Sequence, residues 1–557
     1  MERPEGDLDE IDEQRVMAGM GALWIPVFVA SFGMAVVILL SLWVSGWRNE
    51  QALIAQFEPQ WRVGEQLALR VLHIDGERQP LAGSQVTAVV FQEGHGVQPL
   101  GEFADAGEVG VLQGRFTVPT LAPGPAAIGL EVAHPGLGPL REWIAVEVVD
   151  ERPQRQGALT ISTSNLNWGD NTEPQPEGMQ IVVRPERRLL AGFDNTLMIR
   201  VTDPDGNPRP GHVEVALLGG EFMAQRGSSR EPPILLSERT DALGLAMLRG
   251  ALTSEILEIE VRIVEPGEVF IDEGRVLGRR RFRMVSFAGA VRLEGEPLAL
   301  RAGEPASIAA RGLRRSRPIY VDVHGTDGAW VDTLEPVVGL QPPRQWSTAG
   351  VEPGFIQAEA YYFTNDPGES AEILRLQITD DDPGGVASLR PVVDRYHALL
   401  DAPRVEKSFD RESEAAFVAY LGRAELSEAE VKLARRFLVG TLPIQVIGPP
   451  LAITTFEREQ ADLVAAKVAW YSGLRWGLLG GGGLFLLLLA LLILVRHGST
   501  AKATAEALGS AGDDPEIAAA INSARRGALV RMWAVVVVMG LGLVLVAVAL
   551  ERIVWRV

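Results

Sequence analysis

The chain has no cysteine among its 557 residues. That removes disulfides, zinc–thiolate sites, iron–sulfur clusters and thiol nucleophiles. The seven histidines stand at 73, 95, 134, 212, 324, 397 and 497, and no two sit at metal-ligand spacing. Walker A, G-x-S-x-G and a βαβ-type G-x-G-x-x-G are missing as well. Asp203-Pro204-Asp205-Gly206-Asn207 opens like a calcium loop. Its twelfth position, however, is Glu214, inside the strand-like HVEV, where a calcium loop would need flanking helices. A tight connection between strands is the simpler reading. Asp380, Asp381 and Asp382 before Pro383-Gly384 could bind calcium at a junction, but read more simply as loop-to-helix punctuation. No pattern points to catalysis, so no cofactor is expected and the chain is read as a non-enzyme.

Two sets of residues carry recognition chemistry instead. Arg279, Arg280, Arg281 and Arg283, with Arg311, Arg314, Arg315 and Arg317, form a basic cluster. Such a cluster suits anionic lipid or the acidic face of a partner; it also suits the solvated edge of a sheet, where charge blocks aggregation. The second set is small. Gly477 and Gly481 form G-x-x-x-G, extended by Gly480, Gly482 and Gly483, while Gly540 and Gly542 lie in a later apolar block. Small residues let helix backbones approach closely. Packing between two spans is the economical expectation, and docking onto another membrane protein the sharper one.

The elements that must position these residues follow from hydropathy and charge. With 52 basic and 72 acidic side chains the formal charge is −20, so no nucleic-acid partner is expected. The mean hydropathy of +0.10 is high for a chain with 22% charged residues. The apolar residues must therefore be segregated into blocks. Lys occurs only at 407, 432, 467 and 502. This Arg-rich, Cys-free composition, without an N-glycosylation acceptor, associates with a bacterial chain.

Three blocks, 23–47, 473–495 and 532–550, are long enough to cross roughly 30 Å of hydrocarbon. The first is flanked by Trp24, Trp43 and Trp47, which suit the headgroup interface. It follows an acidic segment, so an uncleaved anchor is expected rather than a signal peptide. Arg496, Lys502, Arg525, Arg526 and Arg531 lie between the second and third blocks, against Arg552 and Arg556 after the third. The short basic loop belongs inside. The expected organisation is an acidic cytoplasmic tail at 1–22, a cytoplasmic loop at 496–531, and an exported region at 48–472.

Within that exported region the period becomes two. In Ser254–Val264, SEILEIEVRIV, Leu257, Ile259, Val261 and Ile263 alternate with Glu258, Glu260 and Arg262, as in a strand with one buried face. Similar runs at 67–74, 84–91, 195–203 and 318–325 are separated by turn signals, which suggests β-sandwiches. Residues 67–83 align with 197–211, setting Leu67, Arg70, Val71, Asp75 and Gly76 against Leu197, Arg200, Val201, Asp205 and Gly206. Arg311, nine positions after Ala302-Gly303, extends the series. Sandwiches are placed at 55–150, 178–266 and 268–380, with a linker at 151–177. A helical stalk follows at 385–472, where Ser427 and Glu430 form a capping box.

The pattern NTLMIRVTDPDGNPRPGHVEVALL, followed by TDALGLAML at 240–248, resembles the Ig-like macroglobulin-type and invasin-like repeats of bacterial surface proteins. The resemblance implies fold and location. It does not imply covalent trapping, because Gly64-Glu65-Gln66 is preceded by Val63 where the macroglobulin thioester requires Cys. The fold class expected is membrane-anchored and mainly β: tandem Ig-like β-sandwiches, a small α-helical stalk and three transmembrane helices. The role expected is a multi-pass protein of the bacterial inner membrane, presenting periplasmic domains for binding or scaffolding in an envelope complex. The alternative is a sensor that signals through a partner. Expected partners are the lipid bilayer, other membrane or envelope proteins, and a homo-oligomer or larger complex.

Overall fold

A computed structural model of the chain describes residues 25, 28–48, 51–105, 110–153, 155, 159–161, 175–224, 232–265, 275–287, 291–314, 317–337, 342–362, 371–401, 411–441, 444–450, 453–510 and 515–554. It forms two units, residues 53–454 and residues 1–52 with 455–557.

The first unit is built from alternating sequence. Its first sandwich holds β1 (Ala52–Phe57), β2 (Gln60–Trp61), β3 (Gln66–Ile74), β4 (Gln85–Gln92), β5 (Gly96–Ala104), β6 (Val111–Thr117), β7 (Gly124–Ala133) and β8 (Leu140–Val148). After β9 (Leu159–Ile161) the second holds β10 (Gln180–Pro185), β11 (Phe193–Thr202), β12 (His212–Gly219), β13 (Phe222–Ala224), β14 (Ile234–Arg239), β15 (Leu245–Leu252), β16 (Ile256–Val264) and β17 (Val276–Val285). The third holds β18 (Val291–Glu296), β19 (Ala299–Arg301), β20 (Pro305–Gly312), β21 (Ile319–His324), β22 (Trp330–Val337), β23 (Arg344–Ser347), β24 (Gly354–Tyr361) and β25 (Glu372–Thr379). The paired sheets are β27-β1-β3-β6 with β2-β8-β7-β4-β5, β10-β11-β15-β13 with β14-β12-β16-β17, and β18-β20-β23 with β19-β25-β24-β21-β22. Here β26 is Ile444–Val446, paired with β9, and β27 is Ile453–Thr454. Each sandwich encloses its own apolar core, built from the inward-facing aliphatic and aromatic residues of its two sheets.

Three expectations change. The boundary at 266 moves to 285, because β17 hydrogen-bonds to β16 throughout; its arginines therefore belong to the second sandwich. The proposed stalk divides. Helices α2 (Val386–Asp401), α3 (Arg411–Arg423) and α4 (Glu428–Thr441) bury Phe417, Leu421, Phe437 and Leu438 against Met198, Leu243 and Leu245 of the second sandwich. An amphipathic helix gains more by covering an apolar sheet face than by standing in water. The linker is also not plain: β9 recruits β26, though residues 162–174 lie outside the described residues.

The repeat keeps its face but not its register. Gly64 and Gly192 donate to Val118 and Leu252, and Ile74 bridges Pro80 as Thr202 bridges Pro208. The equivalent of Arg200 is thus Leu72, and Arg70 lies two residues away. A two-residue step preserves the face of a strand, so both arginines still point outward from their sandwich cores.

The second unit contains α1 (Phe28–Ser45), α5 (Phe456–Ser510) and α6 (Pro515–Val554). Three helices, Phe28–Ser45, Phe456–Ser499 and Leu529–Arg552, are long and apolar enough to cross a membrane. With 55 residues, α5 measures about 80 Å at 1.5 Å per residue. It continues without a break through Gly480–Gly483 and past the expected loop boundary at 496. The expected acidic tail, 1–22, lies outside the described residues.

Candidate functional site

The seams of the 53–454 unit are made from arginines. Arg70 on β3 is fully buried. Its guanidinium donates to both oxygens of Asp322, at 2.5 and 3.3 Å, to Thr333 at 2.9 Å and through Nε to Gln113 at 2.8 Å. It lies 4.8 Å from the Tyr320 ring centre and 5.0 Å from that of Trp330. Tyr361 donates its hydroxyl to Asp322. Burial pulls the Arg70 pKa down, but Asp322 and Tyr361 outweigh it and hold the group above the ordinary arginine value. Only a planar, always-charged fork can pair and stack in this way; lysine cannot.

Arg200 on β11 repeats the device toward the helices. It donates to Glu414 at 2.9 Å and Ser413 at 2.8 Å, with its guanidinium 4.7 Å from Phe417 and 5.4 Å from Phe437. Glu414 also accepts from Tyr396 at 3.2 Å. Arg292 joins the second and third sandwiches, donating to Asn195 at 2.7 Å and Glu372 at 3.2 Å. Glu372 is fully buried, and burial raises its carboxyl pKa against the pull of Arg292. Glu186 and Arg436 clamp the second sandwich to α4 at 2.7 and 2.9 Å. Arg435 ties α4 to Gln377 of β25 at 3.1 Å.

The third sandwich is the hub of these seams. Along β21, Val321 and Val323 enter its core while Tyr320, Asp322 and His324 point the other way, and all are buried. On β24, Glu359 accepts the backbone N–H groups of Ile447 and Gly448 at 2.6 and 2.8 Å. A sheet with one apolar and one polar face, both covered, is what the alternating sequence allows.

The open chemistry lies beside the Arg70 seam. A cleft of about 490 Å³ runs between the first and third sandwiches. Arg62 meets Glu65 at 3.2 Å and both Asp327 and Glu352 at 3.8 Å; Arg152 reinforces Glu65 at 2.5 Å and Asp327 at 3.3 Å. At the floor, Asp332 accepts from Trp346 at 3.0 Å and Arg115 at 3.3 Å. Burial pushes the Asp332 carboxyl up despite these donors. The lining contains neither His nor Lys. The cleft thus presents a network of arginine–carboxylate pairs at its rim and floor. Among the described residues no group of three or more His, Asp or Glu is placed to hold a metal. The Asp203 turn closes on itself, its carboxylate accepting from the Asn207 backbone and side chain at 2.9 Å each.

The arginines singled out from sequence are dispersed. Arg281 pairs with Glu260 at 2.9 Å and Arg283 with Glu258 at 3.3 Å across β16–β17, Arg280 is buried and donates to the Ile181 carbonyl at 2.8 Å, and Arg279 is exposed. Exposed Arg314 lies 5.8 Å from the Tyr362 ring. Arg315 lies outside the described residues. The glycines divide as well. A Cβ on Gly482 would fall 2.0 Å from Leu543 of α6, whereas Gly477, Gly480, Gly481 and Gly483 meet nothing within 4 Å. Gly540 approaches Leu486 of α5, and Gly542 approaches Met34 of α1. Sequence reasoning set Arg70 opposite Arg200 but missed the role of both. An arginine at an outward position of an otherwise apolar run, LALRVL or LMIRV, was the available signal.

No family model and no curated protein matches the chain. Among solved structures it is similar to Escherichia coli alpha-2-macroglobulin activated by porcine elastase, at 13% identity over 60% of this chain and 31% of that one, with a TM-score of 0.16. It is also similar to latent PorU from Porphyromonas gingivalis, at 14% identity over 59% and 34%, TM-score 0.20. A third is the Escherichia coli adhesin FdeC, at 10% identity over 60% and 98%, TM-score 0.13. The chain spans about a third of the length of the first two. The resemblance is one of fold type alone.

Proposed function

We propose that the chain is a non-catalytic bacterial inner-membrane protein. In this reading its three Ig-like sandwiches form one rigid periplasmic platform for binding or scaffolding in an envelope assembly. The observation that carries it is a set of arginines at the seams: buried Arg70, Arg200, Arg292 and Arg435 and half-buried Arg436 each join one domain to another. Such seams fix the relative position of surfaces, which is what a platform requires. The three apolar helices support anchoring, and the basic segment between the second and third supports its cytoplasmic placement. Partners would be other membrane or envelope proteins, with this chain as one subunit or as a homo-oligomer.

Reporter fusions at residues 300 and 515 test the topology: activity of a periplasmic reporter at 300 and silence at 515 is expected. Affinity purification of the full chain from mildly solubilised membranes tests the role. A stoichiometric partner lost on Asp327→Arg with Glu352→Arg supports it; a chain that stays monomeric and alone in every mild detergent refutes it.

One observation favours a second reading, a sensor working through a partner. Only Thr455 separates β27 from α5, and α5 is one helix to Ser510, so in this reading the output runs along α5. Inserting two residues after Thr455 rotates the helix by about 200°. A platform tolerates that insertion, whereas a sensor loses its output.

A further inference from the structure

We propose that the three-helix unit holds one membrane phospholipid, its tails in a groove between α1 and α5 and its phosphate at Lys467; this rests on the reading that these helices span a bilayer. At one end the helices converge. Val44, Tyr471 and Leu550 are buried together, and Tyr471 donates to the Ser41 carbonyl at 3.1 Å. Trp43, Trp47 and Trp470 meet there edge to face, with ring centres 5.2 to 6.3 Å apart. Indole rings of this kind settle at headgroup level. Lys467, one turn from Trp470, donates to the Ser45 carbonyl at 3.4 Å. It meets no carboxylate among the described residues, which leaves its charge for an anion.

Beyond Trp470 a groove of about 770 Å³ opens between the helices, walled by Gly33 and Met34 of α1, Gly477 and Gly481 of α5 and Leu543 of α6. Gly482 is filled by Leu543, but a Cβ on Gly33, Gly473, Gly477 or Gly481 meets nothing within 4 Å. Among the described residues, nothing packs on the open sides of Gly33, Gly473, Gly477 and Gly481. The groove follows α5 from Ala469 to Leu486, about 25 Å at 1.5 Å per residue, and is lined throughout by apolar side chains and glycines. An apolar trough ending at tryptophans, beside an ammonium that meets no carboxylate among the described residues, matches tails joined to a phosphate headgroup.

Native mass spectrometry of the full chain in mild detergent, supplied with phosphatidylglycerol, tests this. One retained phospholipid per chain is expected. Gly477→Leu with Gly481→Leu should cut the retained fraction at least tenfold, and Lys467→Gln about threefold. Gly483→Leu, outside the groove lining, should leave it unchanged. Absence of lipid on the wild type, undiminished retention in the double variant, or equal loss in Gly483→Leu overturns the proposal. So does release of a protein partner or a second copy, instead of lipid, by the double variant. Membrane fractionation of the same cells separates the premises: a membrane-bound chain without lipid sinks only this proposal, while a chain in the soluble fraction sinks the membrane reading.

Discussion

The first and second sandwiches carry the same strand–turn unit under different covers, and the cover decides what each residue costs. In both, an Asp opens a five-residue turn: Asp75 accepts from the backbone of Gln79 at 2.8 Å, and Asp203 from that of Asn207 at 2.9 Å. The fourth turn residue has positive φ in each, Arg78 at 62° and Gly206 at 80°. The first turn is open to solvent, so an arginine can sit there under strain. The second docks beneath α3, where a Cβ on Gly206 would fall 2.2 Å from the backbone of Ala416, so only glycine fits. The outward sheet faces follow the same logic. Arg70 is covered by the third sandwich and Arg200 by the helices, and each found a carboxylate and two aromatic rings. Arg311, at the Arg200 position of the third sandwich, has no cover: it is half-exposed and 3.6 Å from the equally exposed Glu294.

The largest effect should come from the two buried arginines. Arg70→Ala strands the buried Asp322 carboxylate and should destabilise the full-length protein by about 3–5 kcal/mol; Arg200→Ala should cost less, because Glu414 keeps the longer contact to Arg184 at 3.5 Å. Chemical denaturation in detergent measures this. Arg70→Met combined with Asp322→Leu should recover most of the loss; a double variant no better than Arg70→Ala would mean the seam depends on more than the pair.

Next comes pH, which separates the sandwiches. His73, buried on β3 against Ser84 at 2.7 Å, is held near 4 by burial and, less, by His134. The unfolded chain protonates it near 6.5, so the unfolded state binds more protons between these values. Stability of the first sandwich should thus fall as pH drops from about 6.5 to 4, by up to about 3 kcal/mol at ~1.4 kcal/mol per unit. Melting curves of His73→Phe should lose this slope; an unchanged slope refutes the assignment.

The turns should give smaller, opposite effects. Gly206→Ala should cost roughly 2 kcal/mol or more through the clash with α3, whereas Arg78→Gly should gain up to about 1 kcal/mol by releasing strain. Thermal shift comparison decides: equal effects at the two turns would remove the difference in cover. Smallest of all, Arg311→Ala should change stability by no more than about 0.5 kcal/mol, since its pair is solvated.

Much of this architecture was legible because period and turn chemistry are local. The alternation in SEILEIEVRIV, the Asp–Gly turns and the apolar length of α5 all depend on neighbours in sequence. The strand faces were read correctly, while the repeat register slipped by two, since a step of two changes no face. The cleft was not legible. Arg62, Glu65, Arg115, Asp327 and Glu352 come from both sandwiches, and no spacing records their meeting. The arginines of β17 were legible as a basic cluster, yet pairing with Glu258 and Glu260 of β16 neutralises much of it.

The sequence by itself determined the segregation into three apolar helices and a long alternating region, the absence of any thiol chemistry, and the positions of turns. These follow from hydropathy, composition and backbone preference, which act over a few residues. Only the tertiary structure decided which outward faces are covered. A buried arginine and an exposed one have the same side chain; whether Arg70, Arg200 or Arg311 is a seam or a surface depends on what a distant segment places over it, because the cost of charge is set by the surrounding dielectric rather than by the residue.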